Sequence, residues 1–241
     1  MNIPATTDLN FERILKKLQN ILEGNIASND DKDIAEFLMH AEGHFRSWKL
    51  FFNLSYLNNI QNLLKQNNTQ SKYLTNFFCD MIKEYLPENG NGSWSKMENQ
   101  ETTLCSNYVK LIDSLIDILN YNNFIFPDYD DVKDLLKKFV SKNSHGHISG
   151  MGTLLATSIL FVHDENNFMV LDSPVKRYFN LITDQDAIDN YDKIITYSQG
   201  LAAKYKLSMW TVNKAYGVFM NGGQIKIFDF CNNSNFRYIT I

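Results

Sequence analysis

The chain has 241 residues, 44% hydrophobic and 13% aromatic, enough apolar material for one helical domain with a sizeable core or for two lobes sharing a groove. Four prolines and eleven glycines favour long helices over disorder, and three unpatterned cysteines exclude a disulfide scaffold and fit a reducing cytoplasm. No apolar run reaches the length of a membrane span and Met1-Asn2-Ile3-Pro4 begins no signal peptide, so a cytoplasmic protein without a membrane partner is expected, while a net charge of −4 argues against nucleic acid unless basic residues cluster locally.

Leu9, Phe11, Ile14, Leu15, Leu18, Ile21 and Leu22 recur at helical spacing and predict an amphipathic helix over 8–24 with a capping start. A second helical region over 30–64 carries a density of aromatic residues that belongs in a core, among them Phe37, Phe45, Trp48, Phe51 and Phe52. Within it His40 and His44 stand one turn apart, but the order His-Ala-Glu-Gly-His lacks the pattern of a zinc protease, and no metal is expected. Gly43 interrupts the helical pattern there and leaves His44 a candidate for a substrate-facing position. A third helix over 71–85 ends before Pro87, and the stretch 87–95, which contains Trp94, is the clearest loop. Helices over 102–119 and 130–141 follow, the second leading into the glycines at 150 and 152. Beyond Arg177 a helix runs to 181, then others over 184–205 and 208–220, carrying Tyr191, Tyr197, Tyr205, Trp210 and Tyr216 as core closers or as lining for a cleft. The segments 224–228 and 236–241, bracketing Asn232-Asn233-Ser234, form a small β-hairpin. The fold class is therefore mainly all-α, with no internal repeat.

The most informative stretch lies in the middle. Gly150 and Gly152 permit a tight turn with no side chain in the way of a close ligand, and the helix from Thr153 onward places free N–H groups at its positive end. Such an arrangement grips a phosphate. The apolar run that follows ends in Val170-Leu171-Asp172-Ser173-Pro174, where an aspartate heads a new helix.

Written as Gly-x-Gly-x-x-x-Ala-x-x-Ile-Leu and then Leu-Asp-x-x-Val-Lys-Arg, this stretch resembles the helix-hairpin-helix DNA glycosylase superfamily, most of all its adenine glycosylase branch. Gly150, Gly152, Ala156, Ile159, Leu160, Asp172, Val175, Lys176 and Arg177 carry the likeness. It implies a single two-lobed helical domain, with lobes over 1–95 and 96–241 and a hairpin motif over 131–162. The partner would be double-stranded DNA, bound by a monomer through Ser149, Gly150, Gly152, Thr153, His147 and Lys176, and Asp172 would be the catalytic carboxylate. Two departures refine the expectation. Leu154 stands where strand-cleaving members carry a Schiff-base lysine, and an apolar side chain forms no imine, so the implied enzyme is monofunctional. Cys79, Cys105 and Cys231 form no cluster motif, which excludes the iron–sulfur centre of some relatives, and no cofactor is expected. Where the family commonly has Leu-Pro before its first glycine, this chain has Ile148-Ser149 after a polar run, Asn143 to His147.

Chemistry supports a role for Asp172 independently. Cleaving an N-glycosidic bond builds positive charge on the sugar, and a nearby carboxylate, kept ionised by the helix terminus, stabilises that charge and orients water. The competing role is a plain N-cap, which Asp-Ser-Pro also suits, and one residue can fill both. Lys133, Lys137, Lys138, Lys142, Lys176 and Arg177 flank the hairpin and form either a local basic face or solvated helix surfaces. Trp94 is a candidate wedge or stacking partner for an extruded base, against a role pinning its loop. His145 and His147 either reach the phosphate or a base edge, or stand as solvated turn residues. The divergence outside the motif points to an unusual base, such as the hypermodified bases of phage DNA, and to a role in defence. Two alternatives come from other classes: a non-catalytic DNA-binding or interaction module, and a nuclease or other metal-dependent enzyme, which the absence of a paired metal-binding pattern among the carboxylates disfavours.

Overall fold

The computed structural model describes residues 7–47, 49, 53–66, 108–120, 127–141, 144, 152–228 and 236–241. Helix α1 (Leu9–Leu22) shows how the core is built. The Asp8 carboxylate accepts the amides of Asn10 at 2.8 Å and Phe11 at 3.4 Å, satisfying donors that the first turn leaves without an intrahelical partner. Phe11, Ile14, Leu15, Leu18 and Ile21 recur three or four residues apart, and all are buried on one face.

The same logic generates α2 (Asn29–Ser47), α3 (Leu54–Lys65), α4 (Tyr108–Leu119), α5 (Tyr129–Val140) and α6 (Gly152–His163). Then come α7 (Ser173–Tyr178), α8 (Asp184–Asp189), α9 (Tyr191–Tyr205), α10 (Met209–Met220) and the strands β1 (Gln224–Phe228) and β2 (Phe236–Thr240). The described chain is thus mainly helical with a small terminal sheet, as its periodicity predicts.

Several boundaries differ from the sequence expectation, each for a local reason. The helical region over 30–64 is two helices, the second capped by the Asn53 side chain, which accepts the Tyr56 amide at 3.1 Å. Gly43 lies inside α2 and does not end it. The helix expected over 184–205 breaks at Asn190, whose side-chain amide donates to the Asp186 carbonyl at 2.8 Å. A short polar side chain competes there with the backbone ladder. The helix after Asp172 stops at Tyr178, and Asn180 turns the chain in the left-handed region at φ 53°. The expected helix over 71–85 and the loop over 87–95 lie outside the described residues.

Packing joins distant parts of the chain. α1 packs on α2, α9 and α10, α3 on α4, and both α4 and α5 on α6, so the buried core runs across the boundary expected between the two lobes. The Phe11 ring lies 5.0 Å from that of Tyr216 and 4.8 Å from that of Tyr178, tying α1, α10 and the short α7 together. Gly222 and Gly223, at φ 69° and 83°, turn the chain from α10 into β1. β1 pairs antiparallel with β2 in the register Ile225↔Ile239 and Ile227↔Arg237, and Ile225, Ile227 and Ile239 face the core beside α2 and α10.

Candidate active site

Asp172 is delivered by a segment of irregular backbone that runs through the core. After α6, Asp164 folds the chain over itself, its carboxylate accepting the amides of Asn166 at 3.1 Å and Asn167 at 3.3 Å. The next four residues, Phe168, Met169, Val170 and Leu171, are all buried. Buried backbone outside helices and sheets needs partners, and here side chains from three helices supply them. The Tyr191 hydroxyl on α9 donates to the Met169 carbonyl at 2.6 Å and accepts its amide at 3.2 Å. The Asn213 amide on α10 donates to the Val170 carbonyl at 3.2 Å, and Thr157 Oγ1 on α6 accepts the Leu171 amide at 3.0 Å. The segment is strapped down at three successive residues immediately before Asp172.

Asp172 then caps α7, with Oδ1 accepting the Val175 amide at 2.9 Å and Pro174 in the first turn. The residue is only 8% exposed. Among the described residues its second oxygen accepts no hydrogen bond and no cation pairs with it. Burial pushes its pKa up from 3.8 to about 6, against the opposing pull of the Val175 amide and the charges of Lys214, Lys176 and Arg177. Desolvation thus outweighs the helix terminus in setting the direction of the shift, although a pKa of about 6 still leaves the carboxylate mostly ionised at neutral pH.

Comparison with protein-family models, curated proteins and solved structures finds no match to this chain. The site is therefore interpreted from its own geometry.

Helices α5 and α6, on either side of the turn expected at the glycines, pack together. His145, His147, Ser149 and Gly150, in the turn between them, lie outside the described residues, as does Trp94. His44 belongs to α2, and its side chain is likewise outside what is described. Gly152 is described, and its backbone differs from the positive-φ turn that the two glycines would permit. It is the first residue of α6, without positive φ, and a Cβ there would meet Asp184 Oδ2 at 3.0 Å. The glycine makes room for a carboxylate of the same chain. Thr153 is buried, its hydroxyl donating to Asp184 Oδ1 at 3.0 Å and accepting from Lys176 Nζ at 2.9 Å, and Lys176 is also ion-paired to Asp184. Three expected phosphate-binding residues thus converge in space, with an internal anion among them.

Other expected basic residues are internally paired too. Lys133 contacts Asp192 at 2.9 Å and Asp130 at 3.2 Å, and Lys137 contacts Asp134 at 3.3 Å and Asp189 at 3.8 Å. Lys142 lies outside the described residues, whereas Lys138 is exposed. Arg177 is exposed and borders an open cavity of about 570 Å³ with Thr7, Asp8, Tyr178, Asn180 and Phe219. Asp172 does not line that cavity. Of the tyrosines expected to line a cleft, Tyr191, Tyr205 and Tyr216 are buried in the core.

Sequence reasoning places Tyr191 in the core without its part in the strap, and it misses Thr157, Asn213 and Asp184. Only Thr157 left a signal: a hydroxyl in the middle of the apolar helix α6, where its Oγ1 donates to the Thr153 carbonyl at 2.8 Å.

Proposed function

We propose that this protein is a monofunctional DNA glycosylase that extrudes a modified or mispaired base and hydrolyses its N-glycosidic bond. The observation that carries the reading is Asp172: a buried carboxylate on a three-point strap, with one oxygen fixed by the cap and the other accepting no hydrogen bond among the described residues. A carboxylate of pKa about 6 is mostly ionised at neutral pH, yet close enough to neutrality to accept a proton. In hydrolysis the C1′–N bond breaks with its electron pair leaving on the base. Water oxygen bonds to C1′ and its proton passes to Asp172, whose charge stabilises the cationic sugar as it develops. Burial strengthens that stabilisation, because the low-dielectric surroundings screen it less than water does.

Leu154, half-buried on α6, offers no amine for an imine, so the product is an intact abasic strand. The test is incubation with duplexes bearing different bases and with native phage DNAs carrying modified ones, followed by alkali. Alkali-labile sites that vanish in Asp172→Asn support the reading.

A second reading, a non-catalytic DNA-binding module, is favoured by one observation: the 2.9 Å bond to Val175 is what a purely structural N-cap would make. DNA binding without cleavage of any substrate would select it.

A further inference from the structure

Asp184 stands at the junction of three elements. Its Oδ1 accepts from Thr153 at the start of α6 and from Lys176 on α7, while Oδ2 fills the space beside Gly152. These are the residues from which the sequence builds its anion grip. We propose that Asp184 is an autoinhibitory latch, a built-in competitor for nucleic-acid phosphate that holds Lys176 and Thr153 until a phosphate displaces it. The inference rests on the DNA-binding reading above and adds a gate to it.

Three further features fit a contact made to be exchanged. The Asp184 side chain is 39% exposed, so it has a path to solvent. Its helix is capped independently: Thr183 Oγ1 accepts the Asp186 amide at 3.0 Å, and Asp186 accepts the Thr183 amide at 3.0 Å. Release of Asp184 therefore leaves the α8 cap intact. Finally, a phosphate offers the same anionic oxygen acceptors to Lys176 and Thr153 as the carboxylate, so the two exclude each other by charge as well as by space. The pairs Lys133–Asp192 and Lys137–Asp189 draw their acids from the same region, Asp189 ending α8 and Asp192 lying in the first turn of α9. Lys133 and Lys137 are thereby paired with acids of α8 and α9, as Lys176 is with Asp184.

The experiment is fluorescence anisotropy of a labelled duplex oligonucleotide across a salt series, with wild type, Asp184→Asn and Asp184→Ala, folding being checked by circular dichroism. Both variants are expected to bind roughly tenfold tighter than wild type. The slope of log K against log salt should stay close to that of wild type, because displacement of Asp184 lets Lys176 meet a phosphate in either complex. Adding Lys176→Ala to Asp184→Asn should abolish the gain. Binding by wild type with equal or weaker binding by both variants overturns the latch and leaves the DNA-binding reading standing, and so does a gain that survives Lys176→Ala. Loss of folding in both variants makes Asp184 a structural strut and also overturns it. If neither wild type nor variants bind DNA, the DNA-binding reading fails and the latch falls with it.

Discussion

Thr157 Oγ1 accepts the Leu171 amide at 3.0 Å while donating to the carbonyl of Thr153 at 2.8 Å, so one hydroxyl locks helix α6 to the backbone that delivers Asp172. Helix α6 and the segment carrying the carboxylate are thereby linked, which fixes where Asp172 stands relative to the start of α6. Replacing Thr157 with valine keeps the shape and leaves the buried Leu171 amide without an acceptor. The expected cost is about 1–3 kcal/mol in denaturant unfolding, with Thr157→Ser retaining most of the stability. Equal stability of wild type and Thr157→Val would remove the bond from the account.

Asp172 makes a pH-dependent contribution whose sign follows from burial. Its pKa in the folded protein is raised from 3.8 to about 6, so its share of stability is full below the unfolded value and is lost as pH rises through 6. Asp172→Asn cannot ionise, and asparagine caps helices as well as aspartate. The variant is therefore expected to be more stable than wild type at pH 7, on the order of 1–3 kcal/mol, with the difference closing between pH 6 and pH 4. Thermal melts across that range test it. A variant less stable at pH 7 would mark Asp172 as a plain cap, whereas a stabilising substitution at a buried carboxylate is the mark of a site kept for chemistry.

Tyr191 serves both polar groups of Met169 from within the core. Tyr191→Phe leaves the ring in place and strands a buried carbonyl and a buried amide together. A loss of about 2–4 kcal/mol is expected, twice the usual cost of one unsatisfied buried group less what relaxation recovers. Hydrogen exchange should show the Met169 amide losing protection before the amides of α9. Unchanged protection at Met169 would show that the strap is held elsewhere.

The helices were legible because apolar residues at a spacing of three and four leave few alternatives, and α1 starts one residue inside the expected range because Asp8 is the cap. The cap at Asp172 was legible for the same reason: Asp-Ser-Pro is a helix start whatever else it does. What the sequence concealed is tertiary. Nothing local says that Tyr191, Asn213 and Thr157, spread over three helices, meet on successive residues of one buried strap. Gly152 stands out for the backbone freedom glycine permits, but nothing local shows that Asp184, 32 positions away, lies against it. The sign of the Asp172 shift was equally hidden, since the helix terminus is visible in the sequence and the depth of burial is not.

The central claim is that Asp172 cleaves an N-glycosidic bond, and the most direct measurement is the formation of abasic sites. Purified wild type and Asp172→Asn are incubated with a panel of duplexes and native phage DNAs, and alkali-labile sites are counted before and after alkali treatment. The account predicts breaks only after alkali, on a defined base, with wild type and not with Asp172→Asn, whose melting curve at pH 7 shows it folded. Alkali-labile sites produced equally by the variant, or a panel bound and left intact by wild type, would contradict it.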